Sequence, residues 1–309
     1  MDNRLLDVLE IRGRRRALFE GQKSVKGEYE RKQMEIRNAV NPQYVKGLTT
    51  EGLRKEFLIQ GLFIPGEQRL VYTHFDRMIV GGICPRESLT VQDCRKVTGT
   101  DYLLERREMG VINIGSPGTI KVDGEEYVLG YKDLLYVGMG ARDIEFLSKN
   151  AEVLAKFYLV CTAAHQSYPT KKVEFNTIEP IYLGSSEASS KRILYKYIVP
   201  ETVKTSQLTM GMTMVEPNNV WSNMPSHTHA RKTEVFLNFE LKEEGVIFNI
   251  IGEPSETRHI VTRNEEALIV PGWSVHCGAG TSSYTLIWGM AGENQTFTDM
   301  DGVPLKDLR

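Results

Sequence analysis

Short runs of β-branched and aromatic residues, closed by Gly, Asp or Pro turns, recur along most of this chain. In the first half they are Arg69–His74, Met78–Ile83, Tyr102–Leu104, Gly110–Ile114, Thr119–Val122, Glu126–Leu129, Leu134–Val137, Ile144–Leu147 and Lys156–Val160. In the second they are Ile193–Ile198, Thr209–Val215, Val235–Leu241, Val246–Ile251, His259–Thr262, Glu266–Val270 and Tyr284–Trp288. Runs this short, with turn residues between them, read as strands. Val122-Asp123-Gly124-Glu125 is a hairpin signal of the Asp-Gly type. Regular short strands with few helical stretches predict an all-β sandwich or barrel. A few short helices are expected beside it, one being Thr50–Phe57 with Thr49 or Thr50 as its cap.

The two arrays of strands are similar in size, which predicts an internal duplication. Lys132–Ala141 resembles Glu265–Ser274, and Asp101–Ile114 can be laid over His227–Glu240. Glu108 then falls on Glu234, while Asp101 and Leu103 stand where the second copy has His227 and His229. The expected organisation is an N-terminal extension over residues 1–33, a first barrel domain over 34–165 and a second over 166–309. Between the arrays, Ala163–Lys172 reads as an ordered crossover and Leu183–Ser190 as a polar linker.

Three of the six histidines fall in two short stretches, Pro225–Glu234 and Val270–His276. His227 and His229 are two residues apart, so on a strand their imidazoles share a face. Glu234 lies an odd step further on, and a turn or bulge through Ala230–Thr233 is needed to bring it to the same side. His276 follows an apolar run and a Pro-Gly turn. Three neutral imidazoles and a carboxylate on converging strands make a divalent metal site with open positions. Because Asp101 and Leu103 replace two of the donors in the first copy, one metal per chain is expected, in the second half.

Composition excludes several function classes. A net charge of -2 is not that of a chain held by nucleic-acid phosphates. No apolar run is long enough to span a bilayer, and the charged N-terminus has no apolar signal core. Cys84, Cys94, Cys161 and Cys277 lack Cys-x-x-Cys spacing and read as reduced thiols, so a cytoplasmic protein is expected.

The pattern His-x-His-x4-Glu followed by Pro-Gly-x-x-x-His resembles the metal motifs of the cupin superfamily. Longer stretches resemble the 5-keto-4-deoxyuronate isomerase (4-deoxy-L-threo-5-hexosulose-uronate ketol-isomerase) family of pectin breakdown. They are His74–Ile83, Leu104–Gly115, Tyr168–Val173, Glu256–Val261, Ile287–Met290 and Gly292–Gln295. The likeness covers nearly all of residues 34–309 and leaves out 1–33. It implies two cupin-like domains, the second carrying zinc on His227, His229, Glu234 and His276. It also implies a small keto-sugar acid as substrate, aldose–ketose isomerisation to 3-deoxy-D-glycero-2,5-hexodiulosonate, and a homo-oligomer, a hexamer.

Such chemistry needs a general base and a cation for the uronate carboxylate. Glu256, His259 and Tyr284 are the candidate bases, and Arg231 and Arg258 the candidate carboxylate ligands. The same four donors also suit iron, manganese or nickel. A cupin-type metal dioxygenase is therefore the alternative reading, and a non-enzymatic sugar-acid-binding cupin a third.

Overall fold

The computed structural model describes residues 34–309, and the expected extension over residues 1–33 lies outside the described residues. In chain order the strands of the first array are β1 Glu35–Arg37, β2 Leu58–Ile59, β3 Glu67–Thr73, β4 Ile79–Cys84, β5 Leu89–Thr90, β6 Arg107–Asn113, β7 Gly118–Val122, β8 Glu125–Leu129, β9 Leu134–Val137, β10 Ile144–Ser148, β11 Phe157–Ala163 and β12 Lys171–Val173. The second array contains β13 Ile181–Leu183, β14 Arg192–Ile198, β15 Thr209–Val215, β16 His227–Thr228, β17 Lys232–Phe239, β18 Ile247–Glu253, β19 Glu256–Thr262, β20 Glu266–Val270, β21 Cys277–Gly280, β22 Thr285–Gly292 and β23 Asp301–Gly302. The helices are few and short. Thr50–Phe57 begins as predicted, with the Thr49 hydroxyl accepting from Gly52 N at 3.2 Å.

Two seven-stranded sheets dominate, with orders β1-β3-β4-β11-β6-β9-β12 and β13-β14-β15-β22-β17-β20-β2. Place by place, β3 matches β14, β4 matches β15, β11 matches β22, β6 matches β17 and β9 matches β20. The duplication anticipated from the sequence is thus visible as repeated topology. Smaller sheets, β5-β10-β7-β8 and β19-β18-β21, cover the large ones. Phe146 on β10 meets Phe157 on β11 with ring centroids 5.4 Å apart, and Asn238 on β17 bonds Thr262 on β19 at 3.1 Å.

Each large sheet takes its last strand from beyond the expected boundary between residues 165 and 166. β2 pairs with β20, placing Leu58 opposite Leu268, and β12 pairs with β9, placing Lys172 opposite Leu135. The two large sheets share one core, which runs from Val71, Tyr136 and Val160 to Met210, Val235 and Leu286. Their approach requires a glycine on β6: a Cβ at Gly110 would stand 2.8 Å from Met210 Sδ.

Two parts of the expected layout change. Tyr102–Leu104 forms a turn region rather than a strand, because Glu105 N bonds Tyr102 O and the Glu105 carboxylate accepts from Asp101 N at 2.7 Å. The backbone there closes on itself, while Leu103 and Leu104 are still buried by packing. The region expected to hold a crossover and a polar linker contributes β12 and β13 to the sheets.

Candidate metal centre

β17 lies between β22 and β20, and each of its eight residues is buried. Glu234, opposite Val270 and Met290, is therefore a carboxylate fixed within the sheet. His227 lies on β16, which is held by β23 through pairing of His227 with Gly302. Between them the chain turns, Lys232 N donating to His229 O at 2.9 Å. This is the turn that the odd spacing from His229 to Glu234 demanded.

His276 arrives from the other direction. The Pro271–Ser274 turn is closed by Ser274 N on Pro271 O at 2.9 Å, and the His276 backbone then bridges to that of His227. Gly272 lets the two ligand-bearing loops touch. A Cβ at this position would stand 2.7 Å from His229 O and 3.0 Å from Lys232 O.

The four side chains meet. His227 Nε2 is 3.2 Å from His229 Nε2, and Glu234 Oε2 is 3.1 Å from both His229 Nε2 and His276 Nε2. Donor atoms about 2.1 Å from one ion stand about 3.0 Å apart at a right angle and about 3.4 Å apart at the tetrahedral angle. The observed separations fall in that window. Glu234 Oε2 and both ring nitrogens of His276 are buried and have no hydrogen-bond partner among the described residues. Buried polar atoms left in this way are costly unless something else satisfies them, and a cation shared among them does so. The three histidines can hold a metal ion, and Glu234 Oε2 lies 3.1 Å from two of them.

The electrostatics suit that role. Burial holds the His227 pKa down to about 3, helped by the neighbouring His276 and His229, so this imidazole is neutral and its lone pair available. Burial also works against a charged His229, but the Glu234 carboxylate more than offsets it and raises the pKa. Burial opposes ionisation of Glu234, yet the imidazoles of His276 and His229 outweigh it and hold the carboxyl well below the usual range. His229 Nδ1 lies 3.2 Å from the Asp299 carbonyl, which takes its N–H and leaves Nε2 for a metal.

A cavity of about 260 Å³ opens on His227, His229 and Glu234. Trp288, Met290, Phe297 and Met300 are among its apolar lining residues, and Thr213, Ser222, Asn223 and Arg192 among its polar ones.

The other residues singled out in the sequence lie elsewhere. Arg231 grips Asp299 and Asp301. Arg258 donates to the Lys46 and Leu48 carbonyls. Glu256 and His259 are exposed on β19, and neither lines this cavity. Tyr284 is buried, with its hydroxyl on the Gly278 carbonyl at 2.9 Å, and is also absent from the cavity wall. Sequence reasoning passed over Arg192 and Asp299. The only available signal for Arg192 was a charged residue just ahead of the apolar run Ile193–Ile198.

The KduI/IolB family model matches residues 60–303. The 4-deoxy-L-threo-5-hexosulose-uronate ketol-isomerase of Halalkalibacterium halodurans is 49% identical over 276 residues, covering 89% of this chain and 100% of that protein. Among solved structures, an IolB-like protein from Salmonella typhimurium LT2 superposes with a TM-score of 0.59 at 11% identity, over 73% of this chain and 86% of that one. The oxalate decarboxylase of Lactobacillus farciminis does so with a TM-score of 0.53 at 9% identity, over 74% of this chain and 82% of that one. At such identities the two structures speak for the fold alone, the duplicated cupin barrel. A family model spanning most of the chain and a relative matched along its whole length agree with the strand order and the His-x-His centre: the chain belongs to the KduI/IolB family.

Proposed function

We propose that this protein is a metal-dependent aldose–ketose isomerase that converts 5-dehydro-4-deoxy-D-glucuronate to 3-deoxy-D-glycero-2,5-hexodiulosonate in pectin degradation. The observation that carries the reading is the convergence of His227, His229, Glu234 and His276, three of them on the wall of a cavity lined by both apolar and polar residues. The identity of the curated relative supplies the substrate class.

The four residues would hold one zinc ion per chain. A divalent ion at this centre supplies a Lewis acid that makes a C–H beside a carbonyl more acidic. The chain's own residues do the rest. The Asp299 carbonyl fixes the His229 tautomer. Trp288, Met290 and Phe297 keep bulk water from the carbons that exchange hydrogen. Thr213, Ser222 and Asn223 offer hydroxyl and amide groups to the sugar hydroxyls.

The reading extends to assembly and location. Strand β13 is an exposed sheet edge with Ile181, Tyr182 and Leu183 open to solvent. Edges of this kind are covered by pairing, which supports a homo-oligomer, with a hexamer as the family resemblance implies. The four cysteines are all free, in keeping with a reducing cytoplasm. No helix among the described residues is long and apolar enough to cross a membrane.

The test pairs metal analysis with turnover of the keto-uronate, for the wild type and His229→Ala. Zinc near one per chain, lost together with isomerisation in the variant, supports the proposal. Iron with oxygen consumption and no isomerisation favours the dioxygenase. Bound metal with neither activity leaves a sugar-acid-binding protein.

A further inference from the structure

Among the residues lining the metal-centre cavity, Arg192 is the one lysine or arginine. It opens β14, two strands from β22 in the sheet order, and is half-buried. Nη1 donates to the Ser190 carbonyl at 2.9 Å and Nη2 to the Met224 carbonyl at 3.3 Å. These two carbonyls fix the plane of the guanidinium, and more N–H groups remain than they consume. No carboxylate pairs with Arg192 among the described residues.

That isolation is informative. Arg231 is neutralised by Asp299 and Asp301, and Arg258 is occupied by two backbone carbonyls. Arg192 is likewise bonded to two carbonyls, but it lines the metal-centre cavity and has no carboxylate partner among the described residues. Burial works against its charge, with the Tyr284 phenol leaning the other way. A half-buried charge without a counter-ion is stabilised when an opposite charge arrives. A planar, immobilised guanidinium is matched by a planar anion that takes two parallel N–H bonds.

We infer that Arg192 receives the carboxylate of the substrate and so selects sugar acids over neutral sugars at this centre. The identity of the acid rests on the isomerase reading above. The selection itself rests on Arg192 lining the same cavity of about 260 Å³ as His227, His229 and Glu234, a volume suited to a six-carbon chain. Losing a charge-assisted contact of this kind costs about 10- to 100-fold in affinity.

The experiment compares wild type, Arg192→Lys and Arg192→Gln as metal-loaded proteins. Calorimetry measures binding of galacturonate and of galactose, which differ only in carboxylate against hydroxymethyl, and turnover of the keto-uronate gives kcat and KM. The wild type should bind galacturonate at least about tenfold more tightly than galactose. In Arg192→Gln this gap should close and KM should rise about 10- to 100-fold, with metal content unchanged and kcat moved less. Arg192→Lys should restore part of the preference, which a merely structural role for the arginine would not predict. A wild type that does not prefer galacturonate overturns the inference, as does an Arg192→Gln protein that keeps both the preference and its KM. Should the glutamine variant fail to fold, the wild-type preference and the lysine variant decide. If the wild type shows no isomerisation but its galacturonate preference is lost with Arg192, the isomerase reading falls and the carboxylate site stands.

Discussion

Glu108 and Glu234 occupy corresponding strands of the two large sheets, yet their carboxylates are satisfied in opposite ways. Glu234 Oε2 faces the Nε2 atoms of His229 and His276. Glu108 is closed off: it accepts from Ser206 N at 2.8 Å, Gln207 N at 2.7 Å, Leu208 N at 2.9 Å and the Tyr136 hydroxyl at 2.8 Å. Backbone from the second half thus satisfies the Glu108 carboxylate. The buried carboxylate is a clamp between the halves.

Glu108→Ala should therefore destabilise strongly without touching the metal. It leaves three amides and a phenol unpaired in a buried site, a loss of about 3–5 kcal/mol. Thermal unfolding should show a melting temperature lowered by on the order of 10 °C, while metal content per folded chain stays at the wild-type value. A variant with wild-type melting would show that the clamp carries no stability.

Chelation should abolish isomerisation and lower the melting temperature, because the ion binds the folded chain and not the unfolded one. Re-addition of zinc should restore both. Glu234→Gln should bind the ion far more weakly, since it replaces a carboxylate by a neutral amide beside three imidazoles. Elemental analysis after dialysis checks this.

Arg231 acts at one remove. It pairs with the Asp299 carboxylate, and the carbonyl of the same residue orients His229. Arg231→Ala should therefore weaken metal binding by about tenfold, while KM for the keto-uronate in excess zinc stays near the wild-type value. A change in KM with unaltered metal affinity would make Arg231 a substrate ligand instead.

In the metal-free protein His227 stays neutral down to about pH 3, whereas in the unfolded chain it titrates near its ordinary value of 6.5. Between those values the unfolded state binds the extra proton, so the His227 contribution is complete above about pH 6.5 and is lost as the pH falls toward 3. His229, with its raised pKa, has the opposite sign: its contribution is complete below its unfolded value and is lost as the pH rises through the folded one. Removing the ionisable group in His227→Gln should flatten the acid limb between about pH 6.5 and 5, as read by urea unfolding of the metal-free proteins.

Much of this was legible in the sequence where one short stretch carries the whole cause. Leu134–Val137, Thr209–Val215 and Glu266–Val270 are apolar runs between turn residues, and they are strands with those same bounds. The His-x-His pair and the turn before Glu234 follow from spacing alone. β17 begins at Lys232, ahead of the expected Val235, because Lys232, Thr233 and Glu234 are buried by their neighbours in the sheet and not by their own polarity. Leu58–Ile59 and Lys171–Val173 are too short to announce themselves and become strands only because a distant sheet offers an edge. Arg192 was invisible for a related reason. It comes near the histidines through the order β14-β15-β22-β17, a relation that no local pattern encodes.

The borrowed strands also set an order of events during synthesis. β2 leaves the ribosome long before its partner β20, Glu266–Val270. Until then Leu58 and Ile59, almost wholly buried in the finished protein, have no sheet to join. The first large sheet can close once translation has passed Val173, whereas the second must reach back across most of the chain for its final edge. Assembly of the metal-bearing sheet is therefore a late, long-range step. A gene fragment encoding that sheet alone would produce a barrel with an open seam along β20.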